Sequence, residues 1–94
     1  MKNKDFLERK KILRQMQDSD ALWYEENYAS ISKKWGKGYL AVKNKQVLGK
    51  YKDFSTAYQE TIKNEEDGSF IIQKCNGKKK FYIEKFYINV ISLS

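Results

Sequence analysis

The stretch from Gly38 to Tyr51 constrains the fold most, because it carries the pattern of a β-hairpin. Strand-favouring residues at 39–42 and 47–51 flank a short polar segment. Asn tolerates the left-handed backbone conformation that two-residue hairpin turns require, so Asn44-Lys45 is the predicted corner. Gly49 lies inside the second predicted strand, where a β-bulge or the close approach of a covering element is the usual reason for glycine. The other segments are placed against this hairpin.

Two helical patterns precede the hairpin. Residues 4–17 place Phe6, Leu13 and Met16 on one face of a helix. Ser and Asp side chains favour helix starts, so a second helix is predicted to begin near Ser19 or Asp20. An apolar stripe with helical spacing follows, and such a stripe is more typical of a core than of a base-stacking surface. Its members are Tyr24, Tyr28, Ile31 and Trp35.

One helix and two strands are predicted after the hairpin. Asp53 or Ser55 is expected to cap a helix over residues 54–65, and strands are expected at 69–75 and 81–91. In the last strand the apolar residues change face near Glu84-Lys85. Either both faces of that strand are covered or a bulge shifts its phase, and we favour the bulge.

Together these patterns predict an α+β fold, in which an N-terminal helix or helix pair precedes a ββαββ unit. The predicted sheet is four-stranded and mainly antiparallel, in the order 2-1-3-4, with the 54–65 helix on one face. The 20–35 helix feeds the first strand directly, so we expect it at an end of the sheet or in the same layer as the other helix. We divide the chain into an N-terminal amphipathic helix, residues 1–18, and an α+β domain, residues 19–94.

The composition argues against an enzyme. The chain has no histidine, which is the commonest general base and metal ligand. Its single cysteine, Cys75, is interpreted as a small apolar residue at a strand end. The acidic run Glu65-Glu66-Asp67 is interpreted as a solvated turn, because the ligand spacing of a calcium loop is missing. We therefore predict no catalytic residue, no metal and no cofactor.

The same composition predicts the cellular compartment of the protein. One cysteine allows no intramolecular disulfide, which fits a reducing compartment. No stretch approaches the roughly 20 apolar residues needed to span a membrane, and no apolar run follows the basic N-terminus. We expect a cytoplasmic protein without a membrane partner, and we leave a homo-oligomer open.

Two binding functions remain. The first hypothesis is a non-catalytic protein-interaction module, a regulator or inhibitor of a protein partner. Its candidate contacts are an aromatic residue off the core stripe and residues of the first helix: Trp23, Phe6, Arg9 and Leu13.

The alternative is a basic nucleic-acid-binding accessory protein, since 19 basic residues outnumber 12 acidic ones. Its candidate contacts are Lys78, Lys79, Lys80 and Tyr82, where a lysine run precedes rings that can stack on bases. Four further lysines would extend this patch if the sheet aligns them: Lys43, Lys45, Lys50 and Lys52. The competing interpretation is that these lysines protect an edge strand and a hairpin turn from aggregation.

The sequence also resembles a widespread family of small uncharacterised bacterial proteins. The resemblance covers about residues 20–91 and rests on four segments: Trp35-Gly36-Lys37-Gly38-Tyr39-Leu40-Ala41-Val42-Lys43, Val47-Leu48-Gly49-Lys50-Tyr51, Thr56-Ala57-Tyr58-Gln59-Glu60, and Gly68-Ser69-Phe70-Ile71-Ile72-Gln73-Lys74-Cys75. Phe86 and Val90 fit the terminal strand of the family. These are structural positions, so the resemblance implies the fold more than a function. Members of that family are often encoded beside retroviral-type aspartic proteases, which implies a protein partner. This chain differs from the family in its hairpin turn, its Lys78-Lys79-Lys80 segment and its extra N-terminal helix.

Overall fold

A computed structural model describes residues 2–77 and 85–86 of the chain, with side chains from residue 6 to residue 77. The helices are α1 (Lys2–Glu26), α2 (Tyr28–Trp35) and α3 (Phe54–Thr61). The strands are β1 (Lys37–Val42), β2 (Val47–Tyr51) and β3 (Ile71–Asn76), and Lys85–Phe86 form a two-residue strand, β4.

The predicted hairpin corner is confirmed. Asn44 and Lys45 have φ values of 54° and 58°, the left-handed conformation that a two-residue turn requires. Reciprocal backbone hydrogen bonds close the turn: Lys43 N–H donates to Gln46 O at 3.0 Å, and Gln46 N–H donates to Lys43 O at 3.2 Å. The turn therefore fixes the pairing of β1 with β2.

Gly49 sits beside a bulge, which is one of the two predicted reasons for glycine, and its close neighbour is Tyr51 of the same strand and not a covering element. Ala41 pairs with Gly49 while Val42 pairs with Val47, which leaves Leu48 as the extra residue of the bulge. A Cβ on Gly49 would lie 2.7 Å from the hydroxyl oxygen of Tyr51. The bulge also shifts the phase of β2, so Val47 and Tyr51 pack on opposite faces of the sheet.

The predicted helix start near Ser19 or Asp20 is wrong. The α1 helix runs without a break through residues 18–20, and the interruption falls at Asn27, whose φ and ψ are −111° and 15°. Trp23 O accepts both the backbone N–H of Asn27 at 3.0 Å and its side-chain Nδ2 at 2.9 Å, so the side chain of Asn27 competes for the carbonyl that regular helix pairing uses. Asp20 does not cap a helix, because its carboxylate bonds the hairpin turn instead. The predicted domain boundary at residue 18 lies inside this continuous helix.

The α+β class agrees with the structure, but the four-stranded ββαββ sheet does not. The sheet is a three-stranded antiparallel one in the order β2-β1-β3, and β4 adds only two residues, which pair with Ile72 and Gln73 of β3. An alternation that changes face within residues 81–91 cannot bury all its apolar residues on one side of a regular strand. The rest of that predicted strand lies outside the described residues.

Helices cover both faces of the sheet, whereas the sequence predicted a helix on one face. Alternate residues of β1 point to opposite layers: Leu40 and Val42 pack with α1 and α2, and Ala41 packs with α3. The predicted aromatic stripe is confirmed as core, since Tyr24, Tyr28 and Ile31 are buried and Trp35 packs against them.

The helix α3 begins as predicted. Asp53 Oδ1 accepts a hydrogen bond from Thr56 N–H at 2.7 Å, so Asp53 rather than Ser55 is the N-cap. This bond lowers the pKa of the Asp53 carboxyl. The inward face of α3 is the predicted one: Phe54, Ala57, Tyr58, Thr61 and Ile62.

Candidate interaction surface

Polar side chains on the inner face of α1 attach it to the sheet. Gln17, buried, donates through Nε2 to Phe70 O at 3.0 Å just before β3. Asp20, also buried, accepts from the backbone N–H groups of Asn44 and Lys45. The second half of α1 is therefore held both to the start of β3 and to the hairpin turn.

Two acidic residues after α3 hold α1 and β1 from the other side. Glu66 pairs with Arg9 of α1, and Glu65 pairs with Lys43 at 2.6 Å. The hydrogen bond from Arg9 lowers the pKa of the Glu66 carboxyl and raises the pKa of the guanidinium. The interpretation of this acidic run as a solvated turn is therefore incomplete, because two of its carboxylates join separate elements of the fold.

Large apolar side chains are exposed on the first half of α1. Phe6 is 64% exposed, Leu7 61% and Ile12 47%. We call these three residues the N-terminal α1 surface. Together with Leu22 they make four of the five large hydrophobic residues that are exposed in the described part of the chain, the fifth being Leu48. At about 100° per residue the three side chains point to different sides of α1, so they surround the exposed end of the helix and do not line one face. Scattered exposed apolar residues are ordinary, and these are distinguished by falling within two turns of one helix.

The predicted protein contacts do not form one free surface. Phe6 belongs to the N-terminal α1 surface, whereas Arg9 is engaged by Glu66. Leu13 is half-buried against Gly68, with its Cδ1 3.6 Å from where a Cβ of Gly68 would lie. Trp23 is half-buried against the core and lies about 15 Å further along the helix than Leu13.

Leu7 and Ile12 were not predicted as contacts because they fall outside the helical stripe. The stripe of Phe6 and Leu13 marked the face that continues onto the body, and the exposed residues lie beside it. The sequence does mark them in one way, because they are large apolar residues that lie off the apolar stripe and among charged residues.

A shallow depression of about 410 Å³ continues from Ile12 toward the hairpin turn. Its lining includes Met16 of α1 and both corner residues of the turn, Asn44 and Lys45. The N-terminal α1 surface is therefore bordered by a concave strip between the helix and the hairpin.

The predicted nucleic-acid contacts Lys78, Lys79, Lys80 and Tyr82 lie outside the described residues. The four lysines expected to extend that patch do not share one place. Lys43 pairs with Glu65 and Lys45 forms the hairpin corner, while Lys50 and Lys52 lie at the other end of β2. The sheet therefore does not align these four lysines, which was the condition for their extending the patch.

Cys75, Tyr24 and Tyr28 carry titratable groups, and all three side chains are buried in the core. Cys75 is fully buried, as expected for a small apolar residue, with its Sγ 4.0 Å from Tyr28 Oη. Burial is the main cause that raises the pKa of both Tyr24 and Tyr28. Across the described residues, His, Cys, Asp and Glu form no group of three or more that could hold a metal ion. Within the same residues, no helix combines the length and apolarity that crossing a membrane requires.

Comparison with family models, with curated proteins and with solved structures found no match for this chain. The resemblance to a family of small bacterial proteins stays a prediction.

Proposed function

We propose that this chain is a non-catalytic protein-interaction module, a regulator or inhibitor that binds a protein partner through the N-terminal α1 surface. The observation that carries the proposal is the exposure of Phe6, Leu7 and Ile12 within two helical turns, on a helix whose other half is anchored to the sheet. Aromatic and aliphatic anchors of this kind supply most of the energy of protein interfaces.

The charge around this surface indicates the chemistry of the partner. Residues 6–14 contain four basic side chains, Arg9, Lys10, Lys11 and Arg14, and one acidic side chain, Glu8. Lys10 Nζ lies 5.8 Å from the centre of the Phe6 ring, so a cation borders the largest exposed apolar group. We infer that the partner offers an apolar pocket with an acidic rim, which encloses the exposed end of α1 from more than one side.

The anchoring contacts support presentation of a formed helix rather than of a loose arm. Arg9–Glu66 holds α1 one turn beyond Phe6, and Gln17 and Asp20 hold the next turns. A helix that is already formed loses less conformational entropy on binding than a segment that must fold first. The single buried cysteine requires no oxidising compartment, so in this proposal the chain and its partner meet in the cytoplasm.

The proposal is tested by capturing proteins from the host with three forms of the chain. The wild type is compared with the double variant F6S/L7S, which removes two exposed apolar groups. The variant L48S is the matched control, because Leu48 is also exposed but lies in the bulge of β2. We expect a protein that both the wild type and L48S retain and that F6S/L7S loses. Circular dichroism of all three forms checks that the fold is intact.

Two results would contradict the proposal. One is capture of the same proteins, in the same amounts, by all three forms. The other is a stable self-associated form of the wild type that F6S/L7S abolishes, because the exposed residues would then serve contacts between copies of the chain.

A further inference from the structure

A second surface lies at the opposite end of β1 and β2 from the hairpin turn. It is a depression of about 380 Å³, within the size range of small-ligand sites, and it is partly open. Two tyrosines and four lysines dominate its lining: Tyr39, Tyr51, Lys37, Lys50, Lys52 and Lys74. This surface is independent of the N-terminal α1 surface and of the function proposed above.

The sheet register sets the two rings side by side. Tyr39 pairs directly with Tyr51 on β2 and with Lys74 on β3, which forms a row across three strands. Directly opposed residues of neighbouring antiparallel strands have side chains about 5 Å apart. Both rings are half-buried and pack against the α3-side core, so their inner edges are fixed while part of each ring faces outward.

The charge of the depression has one sign. All four lysines are exposed, and none of the described residues that line the depression is Asp or Glu. The side chain of Lys50 crosses over Gly38 and donates to Trp35 O at 2.6 Å, so its charge lies at the rim of the depression.

Neighbouring residues add to this charge and partly offset it. Lys33 and Lys34 lie in the last turn of α2, next to Trp35, whose carbonyl oxygen Lys50 bonds. Asp53 follows Lys52 in the chain; its carboxylate caps α3, and the charge of Lys52 is one of the causes that lower the pKa of that carboxyl.

We propose that this depression binds single-stranded nucleic acid, with a base stacked on Tyr51, beside Tyr39, and the adjacent phosphates bound by Lys37, Lys52 and Lys74. Rings beside a basic groove are the arrangement by which proteins hold single strands without reading their sequence. The bases of a duplex are already stacked on one another, so the rings would contribute nothing to duplex binding. A free nucleotide shares this chemistry, and the test separates the two ligands.

The test measures fluorescence anisotropy of a labelled oligothymidylate with the full chain, at about 50 mM salt and above. The stacking variant is Y51L, which keeps an apolar side chain, and Y51F is its control, which keeps the ring. We expect Y51L to bind about 5- to 100-fold more weakly than the wild type, and Y51F to bind like the wild type.

The charge variant is K37Q/K52Q, and its matched control is K45Q/K63Q, which removes the same charge at sites remote from the depression. We expect K37Q/K52Q alone to weaken binding and to reduce the slope of log affinity against log salt by about 1.4, the value for two contacts to a single strand.

Five outcomes would overturn the proposal. Three concern the chain and its variants: no binding at low salt, equal weakening by the two charge variants, and wild-type affinity of Y51L. Two concern the ligand: competition by a mononucleotide as strong as that by the oligonucleotide, and preference for a duplex over the single strand. The two charge variants also keep the test decisive if Y51L fails to fold.

Discussion

The carboxylate of Asp20, in the middle of α1, accepts a hydrogen bond from the backbone N–H of Lys45 at 2.9 Å. The other carboxylate oxygen accepts from Asn44 N–H at 3.1 Å. Asp20 is 3% exposed, although both turn residues face solvent. One side chain therefore attaches the long helix to the corner of the hairpin.

Replacing Asp20 by alanine should lower the free energy of unfolding by about 2 kcal/mol, because two hydrogen bonds to a charged group are lost and water replaces them only in part. Asp20→Asn should lose less, since one amide oxygen still accepts. Urea unfolding of the three proteins measures both differences. A stability of Asp20→Ala within about 0.5 kcal/mol of the wild type, the range of ordinary surface substitutions, would contradict this role.

Asp20 also shows why local sequence patterns misplace helix boundaries. Aspartate and serine favour helix starts because their side chains accept backbone N–H groups. Here Asp20 does accept two backbone N–H groups, but they belong to a turn more than 20 residues away in the chain. The sequence correctly predicts that Asp20 accepts backbone N–H groups. It does not predict that these belong to the hairpin turn, because only the folded chain brings the hairpin beside α1.

Replacing Lys45 by glycine should stabilise the protein by about 0.5 kcal/mol. Lys45 has a φ of 58°, which costs a residue with a Cβ about 1 to 2 kcal/mol, and the entropy of glycine in the unfolded chain offsets part of that gain. Gln46→Gly is the control, since the φ of Gln46 is not positive, and it should destabilise the protein. Thermal unfolding compares them, and a lower midpoint for Lys45→Gly than for the wild type would show that this turn is not strained.

The Arg9–Glu66 pair should contribute little to stability at high salt. Both side chains are about half exposed, so water and ions screen their attraction. A double-mutant cycle with Arg9→Ala and Glu66→Ala measures the coupling energy at low and high salt. We expect a small favourable coupling that disappears as salt rises. A coupling energy that does not change between low and high salt would contradict the description of this pair as a solvent-screened ion pair.

Acid should weaken the α3 cap through Asp53. Its folded pKa is lowered, chiefly by the hydrogen bond from Thr56 N–H, below the unfolded value of about 3.9. The stabilisation is therefore present above about pH 4 and is lost as the pH falls through the lower folded pKa. Asp53→Asn still caps the helix but does not titrate, so its stability should fall less below pH 4. Unfolding curves at a series of acidic pH values test this, and parallel losses in both proteins would exclude Asp53 as a source.

Most of the body could be predicted from local chemistry. The turn at Asn44-Lys45, the cap at Asp53 and the core stripe from Tyr24 to Ile31 each depend on neighbours within a few residues. These signals fixed the element types and the hairpin register.

The predictions that were wrong concern contacts between residues far apart in the sequence. The side chains of β1 alternate, with Leu40 toward one helical layer and Ala41 toward the other. The sequence does not say which helix covers which face of the sheet. Parts of the candidate surfaces were missed for the same reason. Tyr39, Tyr51 and Lys74 meet only through the sheet register. Leu7 and Ile12 are exposed because they lie off the side of α1 that contacts the body through Arg9 and Leu13.

Photo-crosslinking in host cells shows whether the N-terminal α1 surface contacts a protein partner. A photoreactive amino acid is placed at position 6, in that surface, and, in a separately prepared form of the chain, at position 48, in the bulge of β2. We expect one discrete adduct with another protein from position 6 and none from position 48. Absence of an adduct at position 6, or the same adducts from both positions, would contradict the proposed function.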